Sequence, residues 1–285
     1  MVILQDAWYR LRWGLAASVE KRGLAAGVAA YGVRQLIRVF LMPKAAYFRW
    51  KYRENEWERR DIIIQDQVGG LQEWDEVATA GFSFLKNAGL QPHHRLLDAG
   101  CGCFRIGRLL IGYLDPGGYS AFDGSEYLLT EGRRQILDRE CDLERKQPDI
   151  KHLFITDRVV RLFDEFSRQY DVILLHGVFE VVSPARINVF LQSIASVMHP
   201  HTKVYATFFL NPFGEEYEAP IRRLRYGKEH RSVLTSPHGE YWHHTPELFQ
   251  RLCAEIGTIR FVRYHDYQNP LEGMKMAEFG PADRS

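Results

Sequence analysis

The segment spanning residues 95–107 constrains the fold of this chain more than any other part of the sequence. It begins with the apolar run Arg95–Ala99, which carries one acid at Asp98, and passes through the glycine turn Gly100–Gly102 into residues with helical spacing. Glycine is needed where the backbone bends sharply and where a ligand approaches without a Cβ in the way. A strand, a glycine turn and a helix in this order predict an α/β fold that binds a nucleotide-like ligand.

Strand-like and helix-like segments alternate from about residue 66 to the end of the chain. The strand candidates are rich in apolar, β-branched and aromatic residues, which is typical of a sheet buried on both faces. They are Arg95–Ala99, Tyr119–Phe122, His152–Thr156, Asp171–Leu175, Lys203–Leu210, Thr258–Tyr264 and Met274–Phe279. This alternation predicts a doubly wound, mostly parallel α/β sheet of seven strands, with ligands at the carboxyl ends of the strands.

Two of the covering helices can be recognised from their residues. In Pro184–Met198 the apolar side chains fall on one stripe, which predicts the core face of a helix. The stripe consists of Ile187, Phe190, Leu191, Ile194 and Val197. At 245–247 a threonine, a proline and a glutamate follow one another, which is typical of a capped helix start. Leu248, Leu252 and Ile256 are predicted to form the buried face of that helix.

Residues 1–65 are predicted to form a basic helical extension ahead of the α/β domain at 66–285. Positions 1–53 carry ten Lys and Arg residues against two acids, Asp6 and Glu20. Their longest apolar stretch, 23–42, is interrupted by two arginines and is too polar for a membrane-spanning helix or a signal peptide. Two interpretations stay open: an arm that packs on its own domain or on a second subunit, and an interfacial helix on an anionic membrane.

Composition excludes several classes of protein. The formal net charge of +1 gives no reason to expect nucleic-acid binding. Four cysteines in 285 residues are too few for a disulfide scaffold, and Cys101-x-Cys103 lacks a second pair for a zinc site. We therefore expect reduced thiols and a cytoplasmic protein, with membrane association left open by the basic extension.

Two residues around the glycine turn distinguish between nucleotide-like ligands. Asp98 would repel the pyrophosphate of a dinucleotide, whereas it would attract the ammonium and sulfonium of S-adenosylmethionine. Arg105 stands where the dinucleotide fingerprint has its third glycine. Asp123 ends the next strand, where a carboxylate accepts ribose hydroxyls. Its alternative role is a cap of the helix beginning near Ser125.

The segment 95–123 resembles motif I and the following acidic strand end of class I S-adenosylmethionine-dependent methyltransferases. Residues 170–176 resemble the fourth-strand motif of that family, and 197–201 lie where the family has its turn after a helix. The resemblance runs from roughly Val68 to Phe279. The sequence departs from the family at Phe104, which replaces the third glycine of motif I, and at His201, where glycine is common.

The resemblance implies a Rossmann-like methyltransferase fold, S-adenosylmethionine as cofactor, and roles for matched residues. Asp98 and the backbone of the turn, which comprises Gly100, Cys101 and Gly102, would hold the methionine end. Asp123, followed by Gly124, would bind the ribose, and Asp157 would contact the adenine amino group. The alternative for Asp157 is the N-cap of a helix over Arg158–Phe166.

Histidines near the predicted carboxyl edge are the candidates for the residue that acts on the methyl acceptor, since an imidazole can take a proton near neutral pH. His176 follows the fourth strand and would lie beside the cofactor, with Glu180 either orienting it or exposed on a helix. His243 and His244 precede the capped helix. They end a long segment, 211–244, rich in aromatic residues and arginines and predicted to be a lid or acceptor loop. A dimer contact is its alternative.

The sequence therefore predicts a methyltransferase that acts on a small molecule or a glycan, with oxygen as the acceptor atom. No carboxylate cluster resembles a magnesium site, so no metal is expected. Alternatives are a methyltransferase of protein or nucleic acid, and a non-catalytic scaffold recruited through the basic extension. An NAD-dependent oxidoreductase is disfavoured by Asp98 and Arg105.

Overall fold

The computed structural model describes residues 74–155, 158–211, 242–268 and 274–282, together with the backbone of 224–226 and 231–233. The predicted extension 1–65, Asp157 and most of the predicted loop 211–244 lie outside the described residues. Among the described residues no helix is long and apolar enough to cross a membrane.

Helices and strands alternate along the described chain as the sequence predicts. The helices are α1 (Trp74–Asn87), α2 (Gly107–Tyr113), α3 (Glu126–Gly132), α4 (Leu143–Lys146), α5 (Leu162–Phe166), α6 (Pro184–Ala195) and α7 (Pro246–Ile256). The strands are β1 (Leu96–Ala99), β2 (Tyr119–Asp123), β3 (Asp149–His152), β4 (Tyr170–Leu175), β5 (Met198–Leu210), β6 (Leu224–Tyr226), β7 (Arg231–Val233), β8 (His243–His244), β9 (Ile259–His265) and β10 (Met274–Pro281). Helix α3 continues through a π-helical segment, Arg133–Leu137, and a short turn, Asp138–Glu140.

The main sheet has the order β3-β2-β1-β4-β5-β10-β9. Strands β1 to β5 are parallel, and β10 runs antiparallel to both β5 and β9. These are the seven predicted strands. The two-residue strand β8 adds to them by pairing with β5, and β6 and β7 form a separate hairpin.

The central strands of the sheet are buried on both faces. Along β4, Ile173 and Leu175 belong to the core under α6 and α7, whereas Val172 and Leu174 belong to the core under α1 and α2. Alternation of this kind follows from the two-residue period of a strand. It explains why the candidates for the central strands have no polar face.

The two recognised helices form as predicted, with one boundary corrected. Thr245 caps α7 by accepting a hydrogen bond from the backbone N–H of Leu248, and Pro246 opens the helix. The apolar stripe of α6 is buried. This helix ends at Ala195 and not at Met198, because the hydroxyl of Ser196 bonds back to the carbonyl of Ser193 and the chain enters β5.

The third strand is the clearest error in the predicted boundaries. Prediction placed it at His152–Thr156, whereas β3 comprises Asp149–His152 and pairs with Ser120–Asp123 of β2. The prediction started too late because the apolar residues are those after His152, whereas the strand itself is mostly polar. After Leu153 donates to the carbonyl of Asp123, the chain leaves the sheet.

Candidate functional site

The glycine turn after β1 is built from left-handed backbone. Gly100 has φ +83° and Gly102 has φ +55°, a region that residues with a Cβ rarely adopt. A Cβ on Gly100 would also lie 2.6 Å from Cγ2 of Val178, which follows β4. The backbone N–H groups of Gly100 and Cys101 both donate to the carbonyl of Phe122 in β2. The turn is therefore held against the ends of the two neighbouring strands.

Phe104 explains how the chain departs from the family's glycine pattern. It has φ +66°, so its backbone has the hand that a glycine would adopt most easily. Its ring is fully buried in the core under α1 and α2. Burial of an aromatic side chain offsets the cost of the left-handed backbone. The turn thus keeps a glycine-like path with a phenylalanine in it.

Arg105 follows directly and faces the start of α1. It is largely buried, and its guanidinium carbon lies 5.6 Å from the ring centroid of Trp74. Trp74 itself is buried as the first residue of α1. An arginine stacked on an aromatic ring replaces the close glycine packing of a dinucleotide site.

Asp123 links the end of β2 to the glycine turn. One carboxylate oxygen accepts the backbone N–H of Gly102 at 2.8 Å, and the other accepts that of Ser125 at 2.7 Å. Ser125 caps α3 through its own hydroxyl, which accepts from the N–H of Leu128. The interpretation of Asp123 as the helix cap is therefore wrong. Each carboxylate oxygen has further lone pairs for ligand hydroxyls.

Asp98 lies in β1, buried between the neighbouring strands. It is 3% exposed and accepts a hydrogen bond of 2.8 Å from the hydroxyl of Tyr119. Its pKa is raised to about 7: burial is the largest cause, the Tyr119 hydrogen bond opposes the rise, and the negative charge of Asp123 supports it. A carboxylate in this state gains from a positively charged ligand nearby.

An exposed aromatic ring flanks the acidic end of β2, and the sequence did not single it out. Phe154 follows β3 and is 61% exposed. Its ring packs directly over Gly124, where any Cβ would overlap it. A side chain at 124 would therefore displace this exposed ring, whatever Gly124 contributes to a ligand. The predicted adenine contact, Asp157, lies outside the described residues, but α5 begins at Leu162, so the alternative of a helix starting at Arg158 is wrong.

His176 stands at the carboxyl end of β4, as predicted. Its Nε2 is hydrogen-bonded to the hydroxyl of Tyr267 at 3.1 Å. Desolvation, together with the positive charge of Arg105, lowers the pKa of His176 to about 3. The imidazole is therefore neutral near pH 7. Tyr267 was not predicted, because it lies after β9 in a stretch with no pattern.

His243 and His244 form β8, which brings them to the same edge as His176. Strand β10 occupies one side of β5, so β8 pairs on the side where β4 has ended. Both imidazoles are buried, and burial lowers the pKa of each to about 4. The Nε2–H of His244 donates to the carbonyl of Phe179 at 2.9 Å, so this histidine also anchors the turn after β4.

The structure thus brings together nearly all of the predicted site residues that it describes at the carboxyl ends of β1, β2, β4 and β5. Glu180 belongs to this edge and is 2% exposed, so the interpretation of an exposed helix residue is wrong. Within the described part of the chain, no group of three or more His, Cys, Asp or Glu residues could hold a metal ion.

Comparison with known proteins identifies the fold. No family model matches the chain. Similar solved structures include DhpI with S-adenosylhomocysteine (SAH), at 17% identity and a TM-score of 0.51, covering 84% of this chain and 96% of that one. Magnesium protoporphyrin IX methyltransferase from Synechocystis PCC 6803 with bound SAH is 12% identical, with a TM-score of 0.52; the match covers 88% of this chain and 98% of that one. The glycopeptide N-methyltransferase MtfA with S-adenosylmethionine is 12% identical, with a TM-score of 0.51; the match covers 71% of this chain and 93% of that one.

At these identities the likeness establishes the fold. The chain has the Rossmann-like fold of class I S-adenosylmethionine-dependent methyltransferases, as its motif I predicts.

Proposed function

We propose that this chain is an S-adenosylmethionine-dependent methyltransferase that acts on a small molecule or a glycan, with oxygen as the acceptor atom. The observation that carries the proposal is the hydrogen-bonded contact between the glycine turn and the end of β2. There Asp123 accepts the N–H of Gly102 while Asp98 lies buried beside it in β1. A left-handed turn with two carboxylates suits a ligand that has a ribose and a positively charged end.

The residues present fit that cofactor. The backbone of Gly100–Gly102 leaves room for the methionine end, and Asp98 supplies negative charge near it. Asp123 accepts the ribose hydroxyls, and the exposed ring of Phe154 offers an apolar surface for the base. When bound, S-adenosylmethionine supplies a methyl group activated by its sulfonium.

The chain's own contribution to transfer is chiefly alignment. In-line displacement from a sulfonium gains most from holding the donor and acceptor in one geometry. Neutral His176 and His243 accept a hydrogen bond from an acceptor hydroxyl more readily than protonated imidazoles would. His244 is committed through Nε2 to the carbonyl of Phe179 and positions the loop.

The acceptor class draws support from two sources. The segment 211–244 is rich in aromatic residues and arginines, which suit a sugar, an acidic glycan or an acyl-bearing molecule. Two of the similar structures are named as methyltransferases of magnesium protoporphyrin IX and of a glycopeptide. Neither acceptor is a nucleic acid.

The proposal is tested with the purified full chain, S-adenosylmethionine and a panel of phenols, sugars, hydroxy acids and amines. SAH release is followed by mass spectrometry. We expect turnover with a hydroxyl acceptor in the wild-type protein and loss of it in Asp123→Asn, since the amide removes the charge and one of the two acceptor oxygens. Turnover confined to amines would overturn the oxygen assignment.

A further inference from the structure

Glu180 is a buried carboxylate just beyond the carboxyl end of β4. It is 2% exposed, and within the described residues neither Oε1 nor Oε2 has a partner at hydrogen-bonding geometry. Buried charges in proteins are nearly always paired or hydrogen-bonded. Among the described residues this carboxylate is therefore left without full compensation, and a cationic ligand at this edge of the sheet would pair with it.

The position of Glu180 places it at the ligand edge of the sheet. It follows the end of β4 at Leu175, and its backbone carbonyl accepts the N–H of Trp242 at 2.6 Å, which ties it to the residue before β8. On the β5 side is Thr207, whose hydroxyl accepts the N–H of Gly177 at 2.7 Å. Arg105, beyond the glycine turn, is near enough for its charge to act on Glu180.

The groups around Glu180 leave its charge uncompensated. Burial is the largest influence on Glu180 and raises its pKa; the Thr207 hydroxyl, the backbone N–H of Glu180 and the Arg105 guanidinium oppose part of the rise, which leaves the pKa at about 7. The nearby imidazoles of His176 and His244 are neutral near pH 7 because burial lowers their pKa values. The other buried carboxyl of this edge, Asp98, has its own partner in the Tyr119 hydroxyl.

We infer that Glu180 recognises the positive charge of the methyl donor and distinguishes S-adenosylmethionine from its product. The inference rests on the proposed function. The donor carries a sulfonium, and after methyl transfer the same sulfur is a neutral thioether. Pairing with Glu180 therefore favours binding of the donor and is lost in the product, so SAH leaves the site more easily.

Isothermal titration of donor and product against matched variants tests this inference. We expect Glu180→Gln at pH 8 to weaken S-adenosylmethionine binding about tenfold, the equivalent of one pKa unit of charge coupling. Its effect on SAH should be less than about twofold, since the product lacks the sulfonium. Glu278→Gln is the control, because Glu278 is a buried carboxylate of the same sheet already bonded to Arg263 and His265. It should leave both affinities unchanged.

The pH dependence of binding gives a second measurement. Donor binding favours the ionised form of Glu180, so the affinity for S-adenosylmethionine should rise between pH 6 and pH 8. The affinity for SAH should change less. Asp98 titrates in the same range and contributes in the same direction. The part of the rise that Glu180→Gln abolishes belongs to Glu180.

The outcomes separate this inference from the proposed function. If the wild-type protein binds neither compound, the proposed function fails. If it binds both, and Glu180→Gln weakens them equally or leaves the donor unchanged, the role of Glu180 is overturned. The thermal unfolding midpoint at pH 8 is the folding control for Glu180→Gln. It should equal or exceed that of the wild type, because the substitution removes a buried charge.

Discussion

Phe104 allows the strain of the glycine turn to be measured directly. The residue is fully buried and has φ +66°. Truncating a buried phenylalanine to alanine costs about 3–5 kcal/mol, and a left-handed backbone costs a residue with a Cβ about 1–2 kcal/mol. Alanine at 104 keeps that backbone cost, whereas glycine removes it.

We therefore expect Phe104→Gly to be more stable than Phe104→Ala by about 1 kcal/mol, although it is the larger deletion. Phe122 is the matched control, because it is equally buried but lies in strand β2. There the order should reverse, with the glycine variant less stable than the alanine variant by about 0.5–1 kcal/mol.

Urea denaturation of the four variants, followed by tryptophan fluorescence, gives these differences as free energies of unfolding. The comparison of two variants at one site cancels most of the cavity term, which is common to both. If Phe104→Gly proves equal to or less stable than Phe104→Ala, the left-handed turn does not store the strain ascribed to it.

Three further predictions follow from the same site. Gly100→Ala should lower the free energy of unfolding by at least about 2 kcal/mol, because residue 100 has φ +83° and a Cβ there would contact Val178. Gly112→Ala in α2 is its control and should be neutral or stabilising in the same denaturation assay. The stability of Asp98→Asn relative to the wild type should rise by about 2 kcal/mol between pH 5 and pH 8. The folded pKa of Asp98 is raised to about 7, so the wild type loses stability as the pH rises through that range. A stability difference that stays constant with pH would contradict this. The imidazole NMR signals of His176 and His243 should not shift above pH 6, since burial lowers their pKa values to about 3 and about 4, and a midpoint near 6.5 would show that they are solvated.

The sequence predicted the parts of this molecule that rest on local chemistry. The turn at Gly100–Gly102 and the cap at Thr245 each follow from residue types that few backbone conformations accommodate. The buried strands followed from continuous apolar runs. Strand β3 was misplaced because Asp149–His152 is polar and stands at the sheet edge, where pairing with β2 outweighs hydrophobic pattern.

The remainder depends on contacts between distant segments. Tyr267 meets His176 across 91 positions of sequence, and no periodicity marks either partner. Strand β8 exists because β5 extends beyond the end of β4 and leaves hydrogen-bonding groups to pair. Glu180 is buried and its carbonyl is bonded to Trp242, 62 positions further along the chain, which a lone glutamate in the sequence does not indicate.

The central claim is that the edge formed by the glycine turn and Asp123 binds S-adenosylmethionine. Isothermal titration of the full chain with that compound tests the claim most directly, with NAD as the comparison ligand and Asp123→Asn as the variant. One site per chain for S-adenosylmethionine, no heat with NAD, and at least about tenfold weaker binding in the variant are the expected results. Binding of NAD instead, or undiminished binding of S-adenosylmethionine by Asp123→Asn, would contradict the site as described.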